Sequence, residues 1–251
     1  MCMTMDVTLL GTGVGIPHSG RAQAGLVLKA KESLLFDCGA GALLRLAESG
    51  VDPTKIDTVL LSHLHLDHVS DLLPLAKARW LVDEKDFTIY GPAGTEDWFR
   101  AAQNLYPYLD DLKVAVLEVG PKDEFSVKGF RIVAAEAVHS VVALGYRAEY
   151  GMKSVVYSGD TEPTASIARL AKGADLLVHE CSFPEPYQVT NHSTPLQLGE
   201  VLQGVNVKRI VLTHLYPETI GHEEEMVKDI KAGLDPEVRV EVGRDLQRIR
   251  L

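Results

Sequence analysis

Short runs rich in valine, leucine and isoleucine alternate with longer amphipathic stretches along most of the chain. DTVLLS, RIVAAEAV, SVVYSG, DLLVH and RIVLT have the length and composition of strands, and the segments between them carry helical periodicity. Five of these runs end in the same way. His63 follows the first, His139 the second, Asp160 the third, Glu180 the fourth and His214 the fifth. Residues at the carboxyl ends of strands line the ligand crevice in layered α/β folds. Taken singly, Asp160 reads as a turn or cap acid, and the two histidines as partly exposed side chains. Five polar strand ends together point to one shared site.

The stretch VLLSHLHLDHVSD, residues 59–71, concentrates that chemistry. Side chains two apart on an extended strand point the same way, so His63 and His65 converge while Leu64 and Leu66 face the other side. Asp67 and His68 break the alternation. A turn followed by a helix start brings these two round to a neighbouring point. Three histidines and an acid this close would be costly without a partner, and a metal ion removes that cost. Imidazole and carboxylate suit zinc, manganese or iron. With the later strand ends, the chain supplies His63, His65 and His139 for one cation and Asp67, His68 and His214 for a second. Asp160 is left to bridge them.

Composition narrows the frame. The 251 residues include 46% hydrophobic ones, enough for a sizeable core, and no linker, repeat or low-complexity stretch divides them. A single domain over 1–251 is expected. The start MCMTMDVTLLGTG lacks the basic and apolar regions of a signal peptide, and no apolar stretch is long enough to span a bilayer. A cytoplasmic protein with no membrane partner is the expectation, and a homodimer is left open. Cys2, Cys38 and Cys181 are odd in number and widely spaced, which suits reduced thiols, with Cys181 read as a small buried residue. A formal net charge of −10 opposes nonspecific attraction to a polyphosphate, and no basic run exceeds the pair Lys208 and Arg209. LLGTGVGIP begins like a dinucleotide fingerprint, but Pro17 stands where a third glycine should open a helix. Those glycines are expected to let a loop pass close to the metals.

HLHLDH resembles the HxHxDH signature of the metallo-β-lactamase superfamily, and His139, Asp160 and His214 match its remaining ligand motifs in order. The likeness extends through LLGTGVGIP, LLFDCGAG, IYGPAG and VVYSGDT to IVLTH. It implies an α/β fold, a four-layered αββα sandwich with two metals at one edge. HECSF and NHSTP look most like the ribonuclease Z and phosphodiesterase branch, in which residues corresponding to Glu180 and His192 protonate the leaving group. Thr194, Pro195 and Gln197 read as N-cap, first-turn proline and capping-box partner, placing His192 on the loop just ahead of a helix. His179 matches the first residue of the HE pair, and reads equally as a strand residue beside the site.

The expected activity is that of a dinuclear metal hydrolase, most directly a phosphodiesterase. Asp67 would bind metal and orient the attacking hydroxide, His192 positioned by Glu180 would protonate the departing oxygen, and Ser193 or the helix start behind it would hold a phosphate oxygen. Zinc is the first expected metal, with manganese or iron as alternatives. Departures from ribonuclease Z bear on the substrate. No long basic, glycine-rich arm lies between IYGPAG and VVYSGDT, LYPET follows His214 where the family has serine and arginine, and HSGRAQAG replaces its usual asparagine loop. A small or cyclic phosphodiester is favoured, with RNA, through tRNA 3′-processing, as the alternative. Hydrolysis of an ester, thioester or lactone, and a metal-binding regulator without catalysis, are the remaining readings.

Overall fold

Period-two burial builds the molecule. In the computed structural model, which describes residues 4–18 and 20–251, strands β1 (Asp6–Gly11), β2 (Gly25–Lys29), β3 (Ser33–Phe36), β4 (Thr58–Leu60), β5 (Asp86–Gly91) and β6 (Lys113–Glu118) lie in one sheet. Strands β7 (Glu124–Val127), β8 (Phe130–Ala137), β9 (Ala143–Tyr150), β10 (Lys153–Tyr157), β11 (Leu176–Glu180), β12 (Arg209–Thr213) and β13 (Arg239–Val242) form a second. The last strand, β14 (Arg248–Arg250), returns to the first sheet beside β1, giving the orders β14-β1-β2-β3-β4-β5-β6 and β13-β12-β11-β10-β9-β8-β7. Each sheet is antiparallel at one side and parallel at the other, from β3 to β6 and from β10 to β13.

Alternate residues of the strands face different cores. Leu26, Leu28, Leu34, Phe36, Val155, Leu176 and Val178 enter the layer between the sheets. Val27 and Leu35 pack outward under helices α1 (Ala42–Glu48), α3 (Leu72–Leu81) and α4 (Thr95–Asn104). Val156 and Leu177 pack outward on the other side with α5 (Ala165–Ala171), α6 (Pro195–Val201) and α7 (Glu223–Lys231). The short α2 (Leu66–Val69) buries His68 and Val69, the latter in the core under α1, α3 and α4. The result is helices, sheet, sheet, helices, the αββα sandwich that the sequence implied. No helix among the described residues is long and apolar enough to cross a membrane. Cys38 and Cys181 are buried free thiols, and Cys2 lies outside the described residues.

Candidate metal centre

The polar strand ends converge. His63 stands three residues past β4, His139 two past β8 and Asp160 three past β10, Glu180 is the last residue of β11, and His214 directly follows β12. Because β4 stops at Leu60, His63 and His65 occupy an extended segment rather than a strand, and the alternation ends sooner than expected. Leu64 packs against the outer core, whereas Leu66 opens α2 and is 75% exposed. The two imidazoles still meet, with ring centroids 4.7 Å apart. Asp67 and His68 come round on α2 as the helix start requires.

Asp160 lies between two groups of side chains. On one side, its Oδ2 is 3.7 Å from His63 Nε2 and 3.9 Å from His139 Nε2, and the latter is 3.1 Å from His65 Nδ1. On the other, His214 Nε2 is 3.1 Å from Asp160 Oδ2 and 3.4 Å from Asp67 Oδ2, and His68 Nε2 is 3.3 Å from Asp160 Oδ1. One ligand atom from each of His63, His65, His139 and Asp160 lies within 4.8 Å of the others, and the same holds for Asp67, His68 and His214.

These residues fit divalent cations. Among the described residues, His63 Nε2, His68 Nε2 and Asp160 Oδ1 are buried without a well-formed hydrogen bond, the last two facing each other at 3.3 Å, and each such group costs roughly 1–3 kcal/mol. A cation coordinated by them removes that cost, and the donor set is the nitrogen and oxygen mixture that zinc, manganese and iron accept. Burial, with the neighbouring imidazoles, holds His63 well below its ordinary pKa, leaving the neutral ring a ligand needs. Burial opposes charge on His68 too, but the Asp160 and Asp37 carboxylates outweigh it and raise its pKa.

Behind the first side chains stands a set of residues that fix their orientation. Asp37, fully buried in the left-handed backbone region, accepts from His68 Nδ1 at 2.7 Å, from the Ser62 backbone at 2.7 Å and from the Tyr157 hydroxyl at 2.7 Å. His139 Nδ1 donates to the Asn191 carbonyl at 2.8 Å. His214 Nδ1 lies 3.1 Å from Ser182 Oγ, which in turn donates to Glu180 Oε2 at 2.8 Å. Such contacts fix which nitrogen carries the proton and point the other at the centre.

His192 is at the open side. Its Nδ1 lies 3.0 Å from Glu180 Oε1, which also accepts from the Thr161 backbone. Burial lowers the pKa of His192, but the hydrogen bond and charge of Glu180 prevail and raise it. His192 lines the cavity, and one of its ring nitrogens lies within 4.8 Å of donor atoms of Asp160 and His214. The expected capping box is present: Thr194 caps α6, with Pro195 in the first turn and Gln197 as its partner.

One expectation fails. Ser193 is fully buried, its amide donates to Glu180 Oε2 and its hydroxyl to the Thr161 carbonyl, so neither is available to a phosphate. His179 is buried within β11 with Nδ1 against the Glu180 carbonyl and does not line the cavity. Cys181 is a buried core residue whose thiol burial keeps protonated. The loop that carries LLGTGVGIP passes beside Asp67, but at Gly15 a Cβ would make only an ordinary contact, 3.7 Å from the Asp67 carboxylate; it is at Gly39, outside that stretch, that a Cβ would fall 1.9 Å from the Asp67 carbonyl oxygen. The sequence reading missed Asp37, Ser62, Tyr157, Ser182 and Tyr216. Asp37 alone carried a signal, as a sixth polar residue at a strand end, in LLFDCGAG.

The site opens into a cavity of about 280 Å³ whose lining includes His65, Asp67, His139, His192 and His214. Larger hollows of about 720 and 790 Å³ lie elsewhere, without such a cluster. Chemistry rather than size marks the centre.

Residues 32–215 match the model of the beta-lactamase superfamily domain, and the chain belongs to that superfamily. Within it the chain aligns with Ribonuclease Z of Mycobacterium avium, 33% identical over 276 positions that cover 98% of each chain. Its fold is similar to that of the metallo-beta-lactamase fold protein YhfI from Bacillus subtilis, at 25% identity and a TM-score of 0.88, covering 99% of this chain and 100% of that one. Human tRNase Z, short form, shares the fold with a TM-score of 0.79 at 24% identity, over 97% of this chain and 98% of that one. The chain is a metal-dependent hydrolase of ribonuclease Z type.

Proposed function

We propose that this hydrolase cleaves a small or cyclic phosphodiester in preference to tRNA. The observation that carries the reading is the cavity itself: it is small, and no lysine or arginine among the described residues lines it. The 276 aligned positions with the Mycobacterium avium relative exceed the 251 residues here by 25, so that relative has at least 25 positions with no counterpart in this chain. Gripping tRNA takes several phosphate contacts from cationic side chains.

His63, His65 and His139 would hold one divalent cation, Asp67, His68 and His214 a second, and Asp160 both, with zinc the first expectation. Bound there, the cations supply an activated water and offset charge on the phosphoryl oxygens. Asp67, half-buried at the cavity wall, accepts a hydrogen bond from the attacking water and aims it at phosphorus. Asp37, the Asn191 carbonyl and Ser182 keep the Nδ1 protons of His68, His139 and His214 turned away from the centre. His192 keeps its proton through Glu180 and delivers it from Nε2 to the departing oxygen.

The name of the Mycobacterium avium relative favours RNA as the second reading. The test is turnover of bis-p-nitrophenyl phosphate, a cyclic ribose phosphate, a p-nitrophenyl carboxylic ester and a 3′-extended tRNA at rising salt. The small diesters should be the best substrates, with little change as salt rises. Efficient tRNA cleavage at physiological salt with weak activity on every small diester overturns the proposal, as does faster hydrolysis of the carboxylic ester.

A further inference from the structure

We propose that Tyr216, braced by Phe183, is a stacking wall for a planar ring of the substrate, so that the favoured phosphodiester carries a nucleobase. The inference rests on the phosphodiesterase reading above and specifies its substrate class. Tyr216 lies two residues past His214 and lines the cavity beside His192. Phe183 stacks on it with centroids 4.4 Å apart and planes at 28°. Tyr187 lies against Phe183 at 5.6 Å and 30°, continuing the row outward to the surface, where it is 47% exposed. His192 meets Tyr216 near edge-on, at 5.7 Å and 68°.

The fold does not account for this row. None of the three rings belongs to any of the three apolar cores, and all are partly or largely exposed. Aromatic rings held half in water at a reaction site offer large, rigid contact area at low entropic cost. Phe183 stacks on Tyr216, His214 as well as His192 meets it near edge-on, at 5.9 Å and 68°, and Tyr216 still contributes to the cavity lining. Ile16, 52% exposed, adds an apolar contact to the same lining. With no lysine or arginine among the described lining residues, such surfaces can supply affinity beyond the phosphate, and a nucleobase is the planar group that a phosphodiester commonly carries.

The experiment holds the leaving group constant. On metal-loaded protein, kcat/KM is compared for the p-nitrophenyl esters of thymidine 5′-phosphate, methyl phosphate and cyclohexylmethyl phosphate. The thymidine ester should exceed the methyl ester by roughly tenfold or more. Tyr216→Leu, which keeps bulk but loses the flat face, should reduce that ratio toward one, and Tyr216→Phe should retain it, with melting temperatures checking that both fold. An unchanged ratio in Tyr216→Leu, or an equal gain from the cyclohexylmethyl ester, overturns the stacking wall. If no ester is hydrolysed, the phosphodiesterase reading has failed separately. Calorimetric binding of thymidine 5′-monophosphate against methyl phosphate, in the same three proteins, then decides: a preference lost in Tyr216→Leu supports the wall, and equal binding overturns it.

Discussion

The two groups on either side of Asp160 are built from different charge. His63, His65 and His139 are all imidazoles, and no carboxylate touches their outer nitrogens directly: the Asn191 carbonyl stands behind His139, and the Ser62 hydroxyl, 3.0 Å from His63 Nδ1, relays to Asp37 at 2.7 Å. Asp67, His68 and His214 include a carboxylate, and carboxylates stand behind them as well, Asp37 directly and Glu180 through Ser182. Opposite charge attracts more strongly in a poorly solvated site, and an acid behind a ligating histidine raises its basicity. On the proposed assignment, the acid-backed group should therefore bind its cation more tightly and load first.

Removing Asp160 should erase the distinction, and is expected to have the largest effect. In Asp160→Ala, the carboxylate that faces both groups is gone and the repulsion between two cations is less shielded. Metal analysis should show a greater loss than for any single histidine variant. Two tightly held cations per chain in that variant would remove Asp160 from the bridging position.

His192 tests whether the acid-backed group has an additional ligand. If its role is protonation, His192→Ala keeps its metal content and loses about 10²–10⁴-fold on poor leaving groups, with far less change on nitrophenyl esters. Loss of metal would instead add His192 to the donors beside Asp160 and His214. The pH profile sharpens the point. Because Glu180 raises the His192 pKa, the acid form persists above the ordinary histidine value near 6.5, and kcat/KM on poor leaving groups should fall as pH climbs through the raised value. Nitrophenyl esters should lack that limb.

Asp37→Asn should weaken the cation held by His68 about 10–100-fold, the usual effect of losing a supporting partner, and the cation held by His63, which Asp37 reaches only through the Ser62 hydroxyl, by clearly less. Competition with a chromogenic chelator resolves the two affinities. Equal weakening of both would break the contrast between the groups. The smallest effect belongs to Asn191→Gly, because His139 is held by a main-chain carbonyl and the backbone there, at φ 66°, suits glycine. Metal affinity should change less than about twofold.

The proposed ligands were legible because their spacing and their repeated place after strands are local features. Their supports were not: Asp37 lies 31 positions from His68, Ser182 lies 32 from His214, and Tyr157 reaches Asp37 across 120. Only the pairing of strands into two sheets makes those distances short. The capping box was readable because all its members fall within one turn of α6, whereas the same loop misled at Ser193, whose hydrogen bonds are spent on β11 and on Thr161. The αββα layering came from resemblance to a family. Alternating burial explains it physically, but period two cannot say which strands become neighbours.

The segment from Ser182 to Ser193 brings together the Ser182 relay, the Phe183 and Tyr187 rings, the Asn191 carbonyl and His192. Both of its boundaries are fixed, by Glu180 at the end of β11 and by the Thr194 cap of α6. Surface segments between rigid elements tolerate change far better than the elements do. The loop is thus a cassette: grafting a different one between the same two posts can change what the enzyme accepts, provided that the serine, the histidine and the carbonyl are carried across in register.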